Sequence, residues 1–255
     1  MEYDVLIVSL AAFFAGFIDA IVGGGGLIQV PIMFLVFPQM PVSVVIGTNR
    51  SASFVGTLMA GYQYAKSTPI MWKVVFFAGI TAAICAYLGA LLASFISATL
   101  LKPIILVLII SLGIYSFFNK NLGQHNRTPV LDNNLLLKSL FLGALMGFYN
   151  GLIGPGTGTL LVFGFIAWLK FSFLGGSGIS KFVNVVADCA SLIFFLINGF
   201  VLFHLALPML LCNLLGAYLG SRLAILKGNS FIRIMFLVVV MCLSIRLGYD
   251  LFFKS

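Results

Sequence analysis

The stretch Gly16-Phe17-Ile18-Asp19-Ala20-Ile21-Val22-Gly23-Gly24-Gly25-Gly26 returns as Gly147-Phe148-Tyr149-Asn150-Gly151-Leu152-Ile153-Gly154-Pro155-Gly156-Thr157. The offset is 147 − 16 = 131 residues. The same offset relates Gly47-Thr48-Asn49-Arg50 to Gly178-Ile179-Ser180-Lys181, and AYLGALLA (86–93) to AYLGSRLA (217–224). Matching blocks at one ungapped offset make the chain two copies of one half, and a repeat constrains the architecture more than any local signal. The halves are residues 1–118 and 135–255. Between them, 119–134 forms a polar linker containing Asn119, Lys120, His125, Arg127 and Asp132.

The composition states where those halves live. Of 255 residues, 62% are hydrophobic and only 8% charged, with a mean hydropathy of +1.18. A soluble domain carries about 25% charged residues, so soluble enzymes and nucleic-acid binders are excluded in favour of a polytopic membrane protein. The net charge of +8 reads as topology, because cytoplasmic loops collect Lys and Arg. The N-terminal Met1-Glu2-Tyr3-Asp4 lacks the basic region of a signal peptide, so the first apolar run is expected to be a retained segment. Cys85, Cys189, Cys212 and Cys242 all sit in apolar runs without a CxxC or a His pair, which suggests neither a disulfide framework nor a zinc site.

Each half divides into five apolar segments, at about 4–22, 27–37, 42–65, 71–94 and 100–118 in the first and 131 positions on in the second. The second segment, about 11 residues or roughly 17 Å, is too short to cross a 30 Å hydrocarbon core. It meets the first at a glycine-rich break, so the two form a discontinuous pair ending near mid-membrane. The other three are long enough to span. Between segments three and four the first half carries Lys66 and Lys73, where the second carries no Lys or Arg. Between four and five the bias reverses, Lys102 against Arg222, Lys227 and Arg233. This predicts an all-α fold of two repeats of opposite topology, with the linker and Lys138 cytoplasmic and both termini outside.

Gly/Pro-interrupted short segments in matching places of two halves point to a transporter's central site. At such a break glycines let an anion approach backbone N–H groups at the positive end of a helix dipole. Gly24, Gly25 and Gly26 are the candidates in the first half. Pro155, Gly156, Thr157 and Gly158 are those in the second, with Thr157 and Thr159 adding hydroxyls. Arg50 and Lys181 are repeat-related cations within apolar segments, beside Asn49 and Ser180. Intramembrane charges are costly and usually serve a site or pair with one another. Asn184 follows Lys181 at i, i+3 spacing.

Asp19, with Asn150 as its counterpart, is expected to pair with a buried cation, to carry a coupled proton, or to cap N–H groups at the break. Asp188, two turns beyond Lys181, is expected to neutralise a basic group or to carry a proton, but it stands opposite Thr57, so the repeat lends it no support. His125 and His204 read as solvated and interfacial. No repeated His, Asp or Cys ligands occupy the spans, and no Ser stands in a protease context. Neither a catalytic centre nor a metal or cofactor is therefore expected.

These motifs resemble the TauE/SafE family of sulfite exporter-like transporters. The likeness rests on Gly16 through Ile28 with Pro31, on Gly47-Thr48-Asn49-Arg50, on Gly147 through Gly158, and on Ser180-Lys181 with Asn184. It runs through nearly the whole chain. Asn150, where the family often has Asp, and Ile179, where a small polar residue is common, depart from its pattern. The resemblance implies a bacterial inner-membrane permease for sulfite, sulfonates or related anions, with protons as a candidate coupling ion. A passive anion channel and a permease for a non-sulfur organic anion are the alternatives. Partners are then the anion and the lipid bilayer, not nucleic acid, and the oligomeric state is left open.

Overall fold

A computed structural model describes residues 2–93 and 129–253. Four helices belong to the first half: α1 (Glu2–Val22), α2 (Gly26–Val36), α3 (Val42–Ser67) and α4 (Trp72–Ala93). The second half supplies α5 (Asn133–Leu152), α6 (Thr157–Ala167), α7 (Phe173–Ile197) and α8 (Phe203–Phe253). The fold is all-α, with no strand among the described residues. Counterpart helices start at 2 and 133, 26 and 157, 42 and 173, and 72 and 203, 131 residues apart each time. At Gly228, φ +73° breaks α8 into one helix ending at Lys227 and another beginning at Asn229. The expected segment 100–118 and linker residues 119–128, including Lys102, Lys120, His125 and Arg127, lie outside the described residues.

Local chemistry sets several of the boundaries. The Asp132 side chain caps α5 by accepting the Leu135 N–H at 2.7 Å, and Ser172 caps α7 by accepting that of Gly175 at 3.1 Å. Among the described residues, five helical stretches are long and apolar enough to cross a membrane: Tyr3–Val22, Trp72–Leu92, Asn133–Leu152, Phe173–Ile197 and Phe203–Val239. The short helices α2 and α6 have 11 residues each, as the sequence predicts. α3, at 26 residues, also has the length, roughly 39 Å, but the polar run through Thr48, Asn49, Arg50 and Ser51 keeps it out of that set.

The molecule is apolar on its outer face, and a polar cluster lies within its hydrophobic core. Leu6, Leu10 and Phe14 form an exposed stripe on α1, and Leu137, Phe141 and Leu145, their counterparts, form the same stripe on α5. Phe76, Ile80 and Ile84 on α4 match Leu207, Leu211 and Leu215 on α8. Continuous apolar stripes of this extent suit lipid rather than water.

The halves interlock by exchanging helices. α1 packs on α8 and α5 on α4, α3 also touches α8 while α7 touches α4, and α3 meets α7 at the centre. The contacts repeat residue by residue. Gly16 lies against Asn213 as Gly147 lies against Ala82, and Gly89 abuts Phe148 as Gly220 abuts Phe17. A Cβ at any of these four glycines would overlap the neighbouring backbone, so small residues set the helix spacing.

Candidate functional site

The breaks come first, because they end two helices inside the protein. In the first, Gly23 and Gly24 take φ +80° and +86°; in the second, Gly154 and Gly156 take +83° and +93°. Gly24 corresponds to Pro155, whose ring holds φ near −65°, so the second left-handed residue shifts to Gly156. The two breaks touch: a Cβ on Gly23 would overlap the backbone of Gly158 and Thr159. α2 and α6 therefore begin beside one another at the junction of the halves.

Their N-termini are occupied differently. Asp19 Oδ1 accepts the Gly25 N–H at 3.2 Å, so a carboxylate of the chain caps the start of α2. At α6, among the described residues, no side chain accepts from the first N–H groups; Thr157 Oγ1 instead donates to Gly154 O at 2.6 Å. The Tyr149 hydroxyl ties the loop from the other side, donating to Pro155 O at 3.1 Å.

Each basic residue reaches across to the other half. Lys181 Nζ donates to the Asp19 carbonyl and lies 3.1 Å from Asp19 Oδ2. Arg50 Nη2 donates to the Asn150 carbonyl at 2.7 Å, the equivalent contact, and Nη1 donates to Ser191 Oγ. Arg50 Nε stands 3.8 Å from Asp188 Oδ1, and its guanidinium lies over the Phe195 ring, 5.5 Å from the centroid. Asn150 Nδ2 donates to Asp188 Oδ1 at 2.9 Å, and Asn184 Nδ2 to Oδ2 at 2.8 Å. Thr57 Oγ1 donates to Asp19 Oδ2 at 3.3 Å. Two cations thus face two carboxylates, and the buried cluster is formally neutral.

Between the halves lies a small polar cavity of about 40 Å³. Of the residues singled out by sequence, Gly24, Gly25, Gly26, Asn49, Arg50, Pro155, Gly156, Gly158, Asn184, Asp19, Asn150 and Asp188 line it. Thr157, Ser180 and Lys181 are buried off its wall. Ser180 spends its hydroxyl on Ser177 O at 2.9 Å, one turn back in α7. Asn184 joins the Arg50 cluster, not its helix neighbour Lys181. Asp19 does two of the three things expected of it, pairing with a cation and capping the break. Asp188, for which the repeat gave no support, is Arg50's carboxylate. Sequence reasoning missed Asn213, also on the wall; its one signal was a lone amide where the repeat has Ala82.

A family profile described as Sulfite exporter TauE/SafE matches residues 8–247. The chain belongs to this family. It is 36% identical over 245 residues to a Sinorhizobium protein called probable membrane transporter protein ORF9, covering 94% of this chain and 91% of that one. A probable membrane transporter protein of Haemophilus influenzae is 31% identical over 238 residues, covering 93% and 92%. Escherichia coli YfcA, also called a probable membrane transporter protein, is 29% identical over 239 residues, covering 94% and 87%. No solved structure matches. This TauE/SafE protein is a multi-pass membrane transporter.

Proposed function

We propose that the protein moves small sulfur-containing oxyanions, such as sulfite or sulfonates, across the plasma membrane by alternating access. One observation carries this reading. The start of α6, whose N–H groups no described side chain occupies, opens on a polar cavity beside the Arg50 guanidinium. Backbone N–H groups at a helix N-terminus suit an oxyanion. A guanidinium has five N–H donors, of which two make hydrogen bonds here. The family's description as sulfite exporters supports the substrate class.

The two halves insert in opposite senses, with the linker cytoplasmic and both termini outside, in a bacterial inner membrane. Lys66 and Lys73 flanking the α3–α4 turn, against Arg222, Lys227 and Arg233 around the Gly228 break, support that orientation. Rocking of one part against the other around the fixed cavity supplies the alternating access. Because the buried cluster is neutral, an entering anion adds uncompensated charge, and a proton taken up by Asp19 or Asp188 offsets it.

The test is sulfite flux in proteoliposomes of the purified protein. Saturable flux with counterflow is expected, falling by about 100-fold in Arg50→Lys, because a point ammonium does not reproduce a fork shared between a carbonyl, a hydroxyl and a carboxylate. Conductive, unsaturable flux identifies a channel instead. Folded protein that moves neither sulfite nor a sulfonate overturns the substrate class.

A further inference from the structure

We infer that the cavity selects oxyanions that also carry a hydrogen-bond donor, and that Asn213 is the residue that reads this donor. The inference rests on the oxyanion reading above and narrows it. Asn213 projects from α8 and is only 2% exposed. Its Nδ2 donates to the Ala12 carbonyl at 3.1 Å. That bond fixes the amide's orientation, since a flipped amide would set oxygen against oxygen. Oδ1 then lies against Gly56, with no donor among the described residues, and the amide that carries it lines the cavity.

The repeat shows that this side chain has been given room. In the other half Ala82 lies against Gly147 and packs with Ala187 in one apolar cluster. The equivalent triad is Asn213, Gly16 and Gly56, where a Cβ on either glycine would overlap Asn213. The methyl of Ala187 is absent at Gly56, and an amide fills the space. A second amide on the same wall keeps a free acceptor: Asn49 Oδ1 is buried without a partner among the described residues.

A bare oxyanion offers only acceptors. It satisfies Arg50 and the α6 N–H groups, but it meets these amide oxygens lone pair to lone pair. An anion bearing a hydroxyl or an acidic proton satisfies both walls. A site built to bond a hydroxyl rejects the analogue without one, because its own buried group is then left unpaired. Hydrogensulfite and hydroxyalkanesulfonates meet the requirement; sulfate and simple alkanesulfonates do not.

The test uses ethanesulfonate and 2-hydroxyethanesulfonate, equal in charge and differing by one hydroxyl, as competitors of sulfite flux in proteoliposomes of the full chain. Each is also tested as a stabiliser against heat in detergent. In the parent protein the hydroxylated anion is expected to inhibit at a concentration about 10- to 100-fold lower. The preference is expected to vanish in Asn213→Ala. It should vanish equally in Asn213→Ala/Gly56→Ala, which copies the Ala82 and Ala187 packing of the other half and so guards against misfolding. Sulfite flux with no preference between the sulfonates, or a preference that survives both variants, overturns the inference alone. No sulfite flux and no stabilisation by either sulfonate overturns the proposed function and the inference with it. Stabilisation by the hydroxylated anion without sulfite flux supports the inference and changes the substrate.

Discussion

The two glycine breaks descend from one sequence, yet they place their acid differently. In the first, the carboxylate is Asp19 on α1 and its partner Thr57 on α3 donates a hydrogen bond. In the second, the equivalent of Asp19 is the amide Asn150, and the carboxylate sits on α7 as Asp188, where the first half has Thr57. Each half keeps one acid, one donor and one cation from the opposite half. Moving the acid from one helix to the other changes what it can reach. Asp19 reaches Gly25 N–H and closes the start of α2; Asp188 is held by Asn150 and Asn184 and leaves the start of α6 open. A symmetric fold thereby acquires one helix N-terminus capped by a side chain and one that, among the described residues, has no such cap.

Removing a cation tests this contrast most severely. Breaking one partner out of a buried pair costs about 3–5 kcal/mol, because the other charge stays buried without compensation. Arg50→Met is expected to lose an amount in that range. Lys181→Met should lose less, because the Asp19 side chain is 18% exposed and that of Asp188 only 9%. Thermal unfolding in detergent ranks the two. Asp188→Asn is expected to rescue Arg50→Met, and Asp19→Asn to rescue Lys181→Met. Equal losses without rescue would mean that the pairs do not act as compensated charges.

Alanine at the leading glycine of each break sharpens the comparison with a smaller effect. A non-glycine residue at positive φ costs about 1–2 kcal/mol. Gly23→Ala adds a clash with the backbone of Gly158 and Thr159, which cannot move aside, so a total of about 2–4 kcal/mol is expected. A Cβ on Gly154 meets the end of the Arg50 side chain instead. Gly154→Ala is therefore expected to remain close to the strain term alone while displacing the guanidinium and lowering flux. Unfolding and flux measured on both variants separate a structural break from a functional one. The reverse ranking would reject the assignment of the second break as the binding side.

Much of this was legible in the sequence, and what was not has a common cause. The glycine breaks, the short helices and the counterpart starts follow from local spacing, which the offset of 131 transfers from one half to the other. The cations were visible as charges in apolar runs. Their partners were not, because Lys181 reaches Asp19 across 162 positions and Arg50 reaches Asn150 across 100. Such pairings depend on how α3 and α7 cross the other half. Asp188 drew little weight because strict symmetry sets it against a threonine. The symmetry holds instead for the pair of positions, 19 with 57 and 150 with 188, and the acid has changed places within it. Asn213 hid for a related reason, since its Ala82 counterpart is informative only when Gly56 is compared with Ala187.

If the acid is exchangeable within its pair, Asp19→Asn/Thr57→Asp should rebuild in the first half the arrangement of the second. Each single change disturbs a buried charge: Asp19→Asn leaves Lys181 without its carboxylate, and Thr57→Asp adds a second carboxylate beside Asp19. Together they restore one acid for one cation. Thr57 Oγ1 stands 3.3 Å from Asp19 Oδ2, which is itself 3.1 Å from Lys181 Nζ, so a carboxylate at position 57 extends toward the ammonium. The double variant is expected to lie within about 1 kcal/mol of the parent, with each single further away, a coupling within the range found for contacting groups. Flux separates stability from function, because the moved carboxylate no longer faces Gly25 N–H and the start of α2 then resembles that of α6, which no described side chain caps. A double variant as unstable as Asp19→Asn alone would show that the cap on α2, and not the charge pair, is what the first break requires.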